Sequence, residues 1–449
     1  MVSTRFSDTR YCLTQSLAAR WTGAAVAAGV FLLGSASAAT PAAKDAPAAT
    51  ASIITVWAPS RPNTAEYPEI TAAAKAFNLQ QRAVKVDVHF SSVWRYDELV
   101  RNAAMGNRLP CVISLDGPLL SSYAWSGYLQ ALDPFVPKEL LNDLLPSIIK
   151  QGTYNGRLYS LAQTDSGLGL WGNRSLLRAA GVRVATLEAP WSLGEFEQAL
   201  QKLTALDAVD YAINFSIYYV QSEFSAYAFS PILQGFGGDL IDRSDYQSAK
   251  GVLDGPHSVE AMKRFQQWFR KGWSKPVVDR ADDFERGRAA LSWTGHWRYK
   301  PYRKALGDDL VLMPLPDFGH GIKTAMGNWN WAITSTCQDP AAAWAFIAHL
   351  MSREEVRRMT DASASVPARR SVPASTLLYG PHGPLRMFEL QHAAGLGVPR
   401  PATPAYVTIS SAFAKAVSAI VNGADVQVEL TKAAEIIDAD IARNRGYRP

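Results

Sequence analysis

Residues 284–335 read FERGRAALSWTGHWRYKPYRKALGDDLVLMPLPDFGHGIKTAMGNWNWAITS, with four tryptophans in two short clusters beside glycines. Trp293 and Trp297 sit in Trp-Thr-Gly-His-Trp; Trp329 and Trp331 sit in Gly-Asn-Trp-Asn-Trp. Indole is costly to leave in water, so clustered rings enter a core or surround a ligand. Trp293 and Trp297 have the four-residue spacing of a core helix. Trp329 and Trp331, two apart and followed by Ala332-Ile333, suit a strand with both rings on one face. Glycine, Asn and His between the rings suit a wall with polar groups as well as flat apolar ones. A sugar, with C–H faces and hydroxyl edges, matches such a wall; core packing matches the rings equally well.

Outward from this stretch, the chain alternates strand and helix patterns. Ile53–Trp57 is a β-branched run ending in Ala-Pro-Ser-Arg-Pro, which reads as a loop. Tyr67–Gln80 has helical spacing through Ile70, Ala73, Ala74 and Phe77, Val84–Phe90 alternates as a strand, Asp97–Met105 is helical, and Val112–Leu115 is a strand closed by Asp116-Gly117-Pro118. This order predicts a parallel sheet with helices on its faces and ligand groups at the C-terminal strand ends. Later helices are expected at 174–180, 193–206, 258–269, 341–351, from Glu354, and at 411–421 and 428–443.

The first 38 residues carry Arg5, Arg10 and Arg20, then the apolar run Trp21–Leu33, then Ala36 and Ala38, the order of a cleaved secretory signal. No cysteine follows that run, so a periplasmic protein without a lipid anchor is expected. Residues 39–50 read as a flexible lead-in. The segment takes three Arg and one Asp from a formal net charge of +5. The small excess that remains points to neither nucleic acid nor an anionic membrane. Cys111 and Cys337 are too few for a disulfide scaffold; buried free thiols are the expected state, with a bridge between them the alternative. The seven histidines show no metal-ligand spacing. Gly167–Gly172 fits G-x-G-x-x-G, but mid-chain, away from a first strand-to-helix turn, so no dinucleotide cofactor is expected.

Six stretches in order carry a family resemblance: ITVW (54–57), LPCVISLDGPLLSSYAWSGYLQALDPFV (109–136), NGRLYSLAQTDSGLGLWGNRSLLRAAG (155–181) with PWSLGEFEQAL, FERGRAALSWTGHW (284–297), MGNWNWAITSTCQDPAAAWAFIAHLMS (326–352) and SASVPARRSV (363–372). The chain resembles the extracellular solute-binding proteins of sugar-importing ABC transporters, the maltose-binding-protein-like group. Two departures, Cys111 where the family usually has Asp and a single Gly at Gly327-Asn328, leave the ligand open.

The resemblance implies an α/β, two-lobe periplasmic-binding-protein fold (type II) whose inter-lobe cleft is spanned by three hinge crossings, near Leu161–Asp165, Ala289–Trp293 and Ile333–Thr336. Residues 51–163 and 293–333 are expected to form the N-terminal lobe, and 164–292 and 334–449 the C-terminal lobe. It further implies a monomer that is not an enzyme, a di- or oligosaccharide or polyol ligand (with a sugar phosphate the alternative), and a permease partner.

For the site, Asp116 at a strand end accepts two adjacent hydroxyls or caps a turn. Asp165 either touches ligand or serves the hinge. Trp57, with Ser60 and Arg61 in the loop after it, stacks on a sugar or packs under the sheet. Trp293, His296 and Trp297 follow a crossing, Trp329 and Trp331 offer a stacking platform, Tyr218 offers ring and hydroxyl, and Arg369 reaches the cleft or makes a surface ion pair. An exported glycosidase would instead use Asp116 and Asp165 as a carboxylate pair.

Overall fold

The computed structural model describes residues 51–277 and 280–448, the side chain of Trp94 excepted. The signal segment and lead-in expected at 1–50 lie outside the described residues.

The first lobe opens as its pattern predicts. β1 (Ser52–Pro59), β2 (Val84–Ser91) and β3 (Val112–Asp116) are mutually parallel, β1 in the middle. β1 runs on through Pro59, past the loop expected after Trp57. β3 pairs only with Val56 and Trp57, so nothing on that side requires a donor from Pro59. Helix Glu66–Gln80 buries Ile70, Ala73, Ala74 and Phe77 against this sheet, one face at i, i+3, i+4 and i+7. A small hairpin of β4 (Thr153–Tyr154) and β5 (Arg157–Leu158) leads into β6 (Ser160–Leu161).

The chain then leaves through β7 (Thr164–Asp165) for a second sheet of β8 (Leu168–Asn173), β9 (Tyr211–Asn214), β10 (Ala289–Gly295) and β11 (Leu310–Met313), ordered β11-β8-β10-β9. Around it pack Phe196, Phe215, Phe229, Phe265, Trp268 and Trp293, with Phe215 stacked on Trp268 at 5.7 Å. β12 (Thr324–Met326) leads back, and β13 (Trp329–Ile333) inserts antiparallel between β3 and β6, giving β2-β1-β3-β13-β6. The expected all-parallel sheet is therefore mixed. β14 (Val366–Pro367) pairs with β7, and β15 (Gly397–Pro399) with β12.

This pairing departs from the expected division. β10 and β11 lie in the second sheet, although residues 293–333 were assigned to the first lobe. Helices Pro340–Leu350 and Arg353–Ser363 pack on Glu66–Gln80 and share its core, although 334–449 was assigned to the second. The expected crossing at Ala289–Trp293 is an interior strand. That at Ile333–Thr336 is fixed to the first lobe, where Thr334 Oγ1 donates to the Pro110 carbonyl (2.6 Å) and Thr336 Oγ1 to that of Leu109 (2.9 Å). The chain passes between the sheets just after β6, between β12 and β13, and after Ser363. The crossing that the resemblance implied near Leu161–Asp165 does run between the sheets, whereas the two implied at Ala289–Trp293 and Ile333–Thr336 do not, and apolar periodicity, which carries no label for the sheet a strand joins, could not correct them.

Cys111, just before β3, and Cys337, just after β13, are joined as a disulfide across 226 residues, correcting the free-thiol expectation. The β3–β13 register sets Ile333 against Val112, and the Thr334 amide donates to the Cys111 carbonyl, which holds the two cysteines within reach.

Candidate functional site

All three passages between the sheets meet at Asp165. Its side chain is fully buried; Oδ1 accepts from the Ser166 amide (2.8 Å) and the Gly327 amide (2.7 Å), and Oδ2 from Gln151 Nε2 (3.2 Å). Asp165 also faces Val366 in the β7–β14 pair, so one carboxylate ties the first passage to the second while its own backbone pairs with the third. His392 Nε2 lies 2.7 Å from the Ser166 carbonyl. His296 donates its amide to Gly167 and places Nδ1 3.2 Å from the Ser363 carbonyl. Burial pushes the His296 imidazole down to about 4, so it is neutral at pH 7. Asp165 therefore serves the hinge, one side of the alternative left open for it, and His296 is a buried histidine bonded beside the same hinge.

Trp331 and Trp293 are core residues. Trp331 is 3% exposed, packs among the first-lobe apolar residues, and donates Nε1–H to Gln163 (3.1 Å). Trp293 sits on β10 rather than on a helix, is fully buried, and donates to the Ala228 carbonyl (2.8 Å). Arg369 pairs with Asp143 at 2.7 Å and donates to the Met351 carbonyl, leaving no reach into a cleft. Ser60 is buried with Oγ 2.5 Å from Thr64 Oγ1; Arg61 is exposed and its carbonyl takes the Thr64 amide. Tyr218 is exposed in the turn Ile217–Tyr219, edge-on to Tyr219 at 5.1 Å.

Four of the twelve expected residues do converge. Trp329 stands opposite Asp116 in the β13–β3 register, half-buried and edge-on to Tyr96 at 6.0 Å. The Tyr96 hydroxyl donates to the Trp57 carbonyl (2.9 Å), which brings half-buried Trp57 to the same end of the sheet. Trp297 keeps 39% of its surface and lies 5.7 Å from Tyr227. Between these groups stands Arg400, which the sequence reading did not single out.

Arg400 follows β15, and its side chain is 4% exposed. Nη1 and Nη2 reach Asp116 of the first lobe at 3.4 and 3.3 Å; Nη1 also reaches Glu223, before helix Phe224–Gly235 of the second, at 2.5 Å. The guanidinium stacks over Tyr227 at 5.1 Å, and Tyr406 donates to Glu223. Gly327 makes room: with φ at +113°, a Cβ there would stand 2.7 Å from Arg400 Nη2 and from Gln151 Oε1.

Beside this bridge opens a cavity of about 550 Å3 with walls from both lobes. Asp97, Arg101 and Leu119 line one side; Glu223, Ser222 and the Tyr406–Asn422 stretch, with Ser410, Ser411 and Ser418, line the other. None of the twelve expected residues is in that lining; Asp116 is linked to it only through Arg400, which bonds the lining residue Glu223. The one available signal for Arg400 was its setting in Pro399-Arg400-Pro401, and for Glu223 its place just before an aromatic run; neither follows a period.

Burial raises the carboxyls here despite Arg400. Glu223 is pushed up to about 7 by desolvation and Asp97 to about 6 by desolvation and the charge of Asp116. Between 4.5 and about 7 the folded chain keeps a proton on Glu223 that the unfolded chain has released, so stability falls as pH rises through that window. Glu223→Gln should remove this slope. Urea unfolding at both ends of the window should show the variant gaining on the parent as pH rises; an unchanged difference would place the titration elsewhere.

The geometry has counterparts. Residues 72–378, more than half the chain, match the family described as bacterial extracellular solute-binding protein. The chain is 24% identical over 250 residues to a maltotriose-binding protein of Pyrococcus abyssi, covering 53% of this chain and 49% of that one. It is 24% identical over 229 residues to the maltodextrin-binding protein MdxE of Bacillus subtilis, covering 49% and 52%. The chain thus spans about half the length of these relatives. In fold it is similar to the GacH receptor of Streptomyces glaucescens GLA.O, at TM-score 0.75 and 22% identity over 89% of this chain and 100% of that one. It is also similar to the cyclic alpha-maltosyl-1,6-maltose binding protein of Arthrobacter globiformis, at TM-score 0.72 and 20% identity over 88% and 100%. Two sheets joined through a three-stranded hinge, with the matched stretch running through both, place the chain in the family of bacterial extracellular solute-binding proteins.

Proposed function

We propose that the chain is an exported, monomeric binding protein that captures a di- or oligosaccharide, or a polyol, between its lobes and delivers it to the permease of an ABC importer. The observation that carries this is the cavity walled by both lobes, where hydroxyl side chains and carboxylates lie beside the bridge that joins Asp116 to Glu223. A ligand touching both walls favours the closed arrangement, the state a permease reads. Relatives that bind maltotriose and maltodextrin support the ligand class. The glycosidase reading loses its carboxylate pair: Asp165 is sealed in the hinge with both oxygens occupied, and Asp116 faces Arg400.

The test is a thermal-shift screen over mono- to tetrasaccharides and polyols, with product analysis alongside. At a hundred times the dissociation constant, the cognate ligand should add about 2.7 kcal/mol of stability, with no product formed. Ser411→Trp, placing an indole into the cavity from an exposed position of helix Tyr406–Val421, should weaken binding by about ten-fold while the unliganded melt stays cooperative. Turnover, or silence across the whole screen, would defeat the reading.

A further inference from the structure

A second tie between the lobes lies apart from the Arg400 bridge. Trp125 ends helix Leu120–Trp125, directly after β3 of the first lobe, and keeps 38% of its surface. Its ring meets Tyr447 edge-on at 5.0 Å, and its Nε1–H donates to the Arg448 carbonyl at 3.4 Å. Tyr447 and Arg448 follow helix Val426–Arg443, which packs on helices Tyr406–Val421 and Pro256–Arg270 of the second lobe. The segment between is bent into a hook. Arg445, Gly446 and Tyr447 all take left-handed backbone, at φ of 53°, 74° and 52°. Arg and Tyr disfavour that conformation, so it persists where neighbouring groups impose it. Here the Tyr447 hydroxyl donates to Asp440 (2.6 Å) and accepts from Asn444 Nδ2 (2.9 Å), while Gln247 Nε2 donates to the Gly446 carbonyl (3.2 Å). Residue 247 is tied to the same lobe, since its neighbour Ser248 donates to Asp438 of helix Val426–Arg443 (2.7 Å). The hook is thus shaped within the second lobe and carries Tyr447 onto Trp125 of the first.

We propose that Arg445–Arg448 is a strap that closes on Trp125, biases the unliganded chain toward the closed arrangement and so raises its affinity for ligand. This rests on the lobe-capture reading above and deepens it. The strap and the cavity share their walls. Leu119, in the turn that leads into helix Leu120–Trp125, lines the cavity on the first-lobe side, and helix Tyr406–Val421 lines it on the other. Helix Tyr406–Val421 also packs directly on helix Leu120–Trp125. A movement that parts these two walls therefore parts Trp125 from Tyr447. An edge-on aromatic pair shifts such an equilibrium by about three- to ten-fold, enough to tune closure without locking it. A ligand that selects the closed form gains apparent affinity in proportion to the fraction already closed. Unlike the buried Arg400 bridge, this contact is partly exposed and uncharged, so removing it strands no charge and spares the fold.

Small-angle scattering of the unliganded chain reads the strap without any ligand. Trp125→Ala and Tyr447→Ala should each raise the radius of gyration, with the open-to-closed ratio rising about three- to ten-fold. The double variant should match either single change, because both remove the same contact. Calorimetry with maltotriose as the probe should show affinity falling with the closed fraction, by no more than the same factor. Thermal melts of all three variants should stay cooperative. An unchanged radius of gyration in both single variants would overturn the strap whatever the sugar result, and the capture reading would stand. A raised radius with maltotriose bound as tightly as by the parent would overturn it too, since closure would then not be what the ligand selects. A raised radius in a chain silent toward every sugar of the screen would uphold the strap as a lobe tie and remove the carbohydrate reading instead.

Discussion

Arg400→Met should destabilise the protein by about 3–5 kcal/mol, toward the lower figure because Glu223 keeps some contact with solvent. The methionine fills much of the space but leaves Asp116 and Glu223 facing each other without their cation. Uncompensated buried charge, rather than a lost contact, is the source of the effect. The sign of its pH dependence follows. Without Arg400 both carboxyls rise further, so the folded variant takes up protons that the unfolded chain lacks, and the deficit should shrink as pH falls from 8 to 5. Urea unfolding at the two pH values measures this. Adding Asp116→Asn to Arg400→Met should recover part of the loss, because one of the opposed charges is gone; strict additivity of the two changes would show that they do not interact.

Breaking the Cys111–Cys337 bond should lower the unfolding free energy by roughly 2–5 kcal/mol, among the largest effects of any change outside the site. The closed loop spans 226 residues, and in the chain-entropy description the unfolded state gains most when so long a loop is released. The paired change Cys111→Ser with Cys337→Ser, and the parent chain under reductant, should agree within error in denaturant titrations. The β3–β13 register and the Thr334 and Thr336 hydrogen bonds remain in both, so the folded state should keep its secondary structure. A loss below about 0.5 kcal/mol would mean that the unfolded chain is already compact around this pair.

Much of the scaffold was legible along the chain. The helix Glu66–Gln80 was visible in Ile70, Ala73, Ala74 and Phe77, and β13 in the two-residue spacing of Trp329 and Trp331, because a buried face repeats with the period of its element. The same spacing was silent on what each indole touches. Trp329 stands at the strand end beside Asp116, half-buried, whereas Trp331, two residues further in, is roofed by helices and bonded to Gln163. Depth along a strand, not parity, separates a ring that can meet a ligand from one that fills a core. Trp293 and Trp297 divided in the same way, one inside β10 and the other on the turn that follows it.

Sequence alone determined the α/β class, the order of strands and helices, and, through the series of motifs, the two-lobe family. These follow from local periodicity and motif order, which a linear reading can see. Tertiary structure decided that β10 and β11 join the second sheet, that Asp165 gathers three distant segments at one hinge, that Cys111 meets Cys337, and that Arg400 bridges Asp116 and Glu223 from 284 and 177 residues away. Each of these depends on groups far apart in the chain arriving at one point. A single charge flanked by two prolines carries no period that would announce its destination; only the packing of both lobes specifies it.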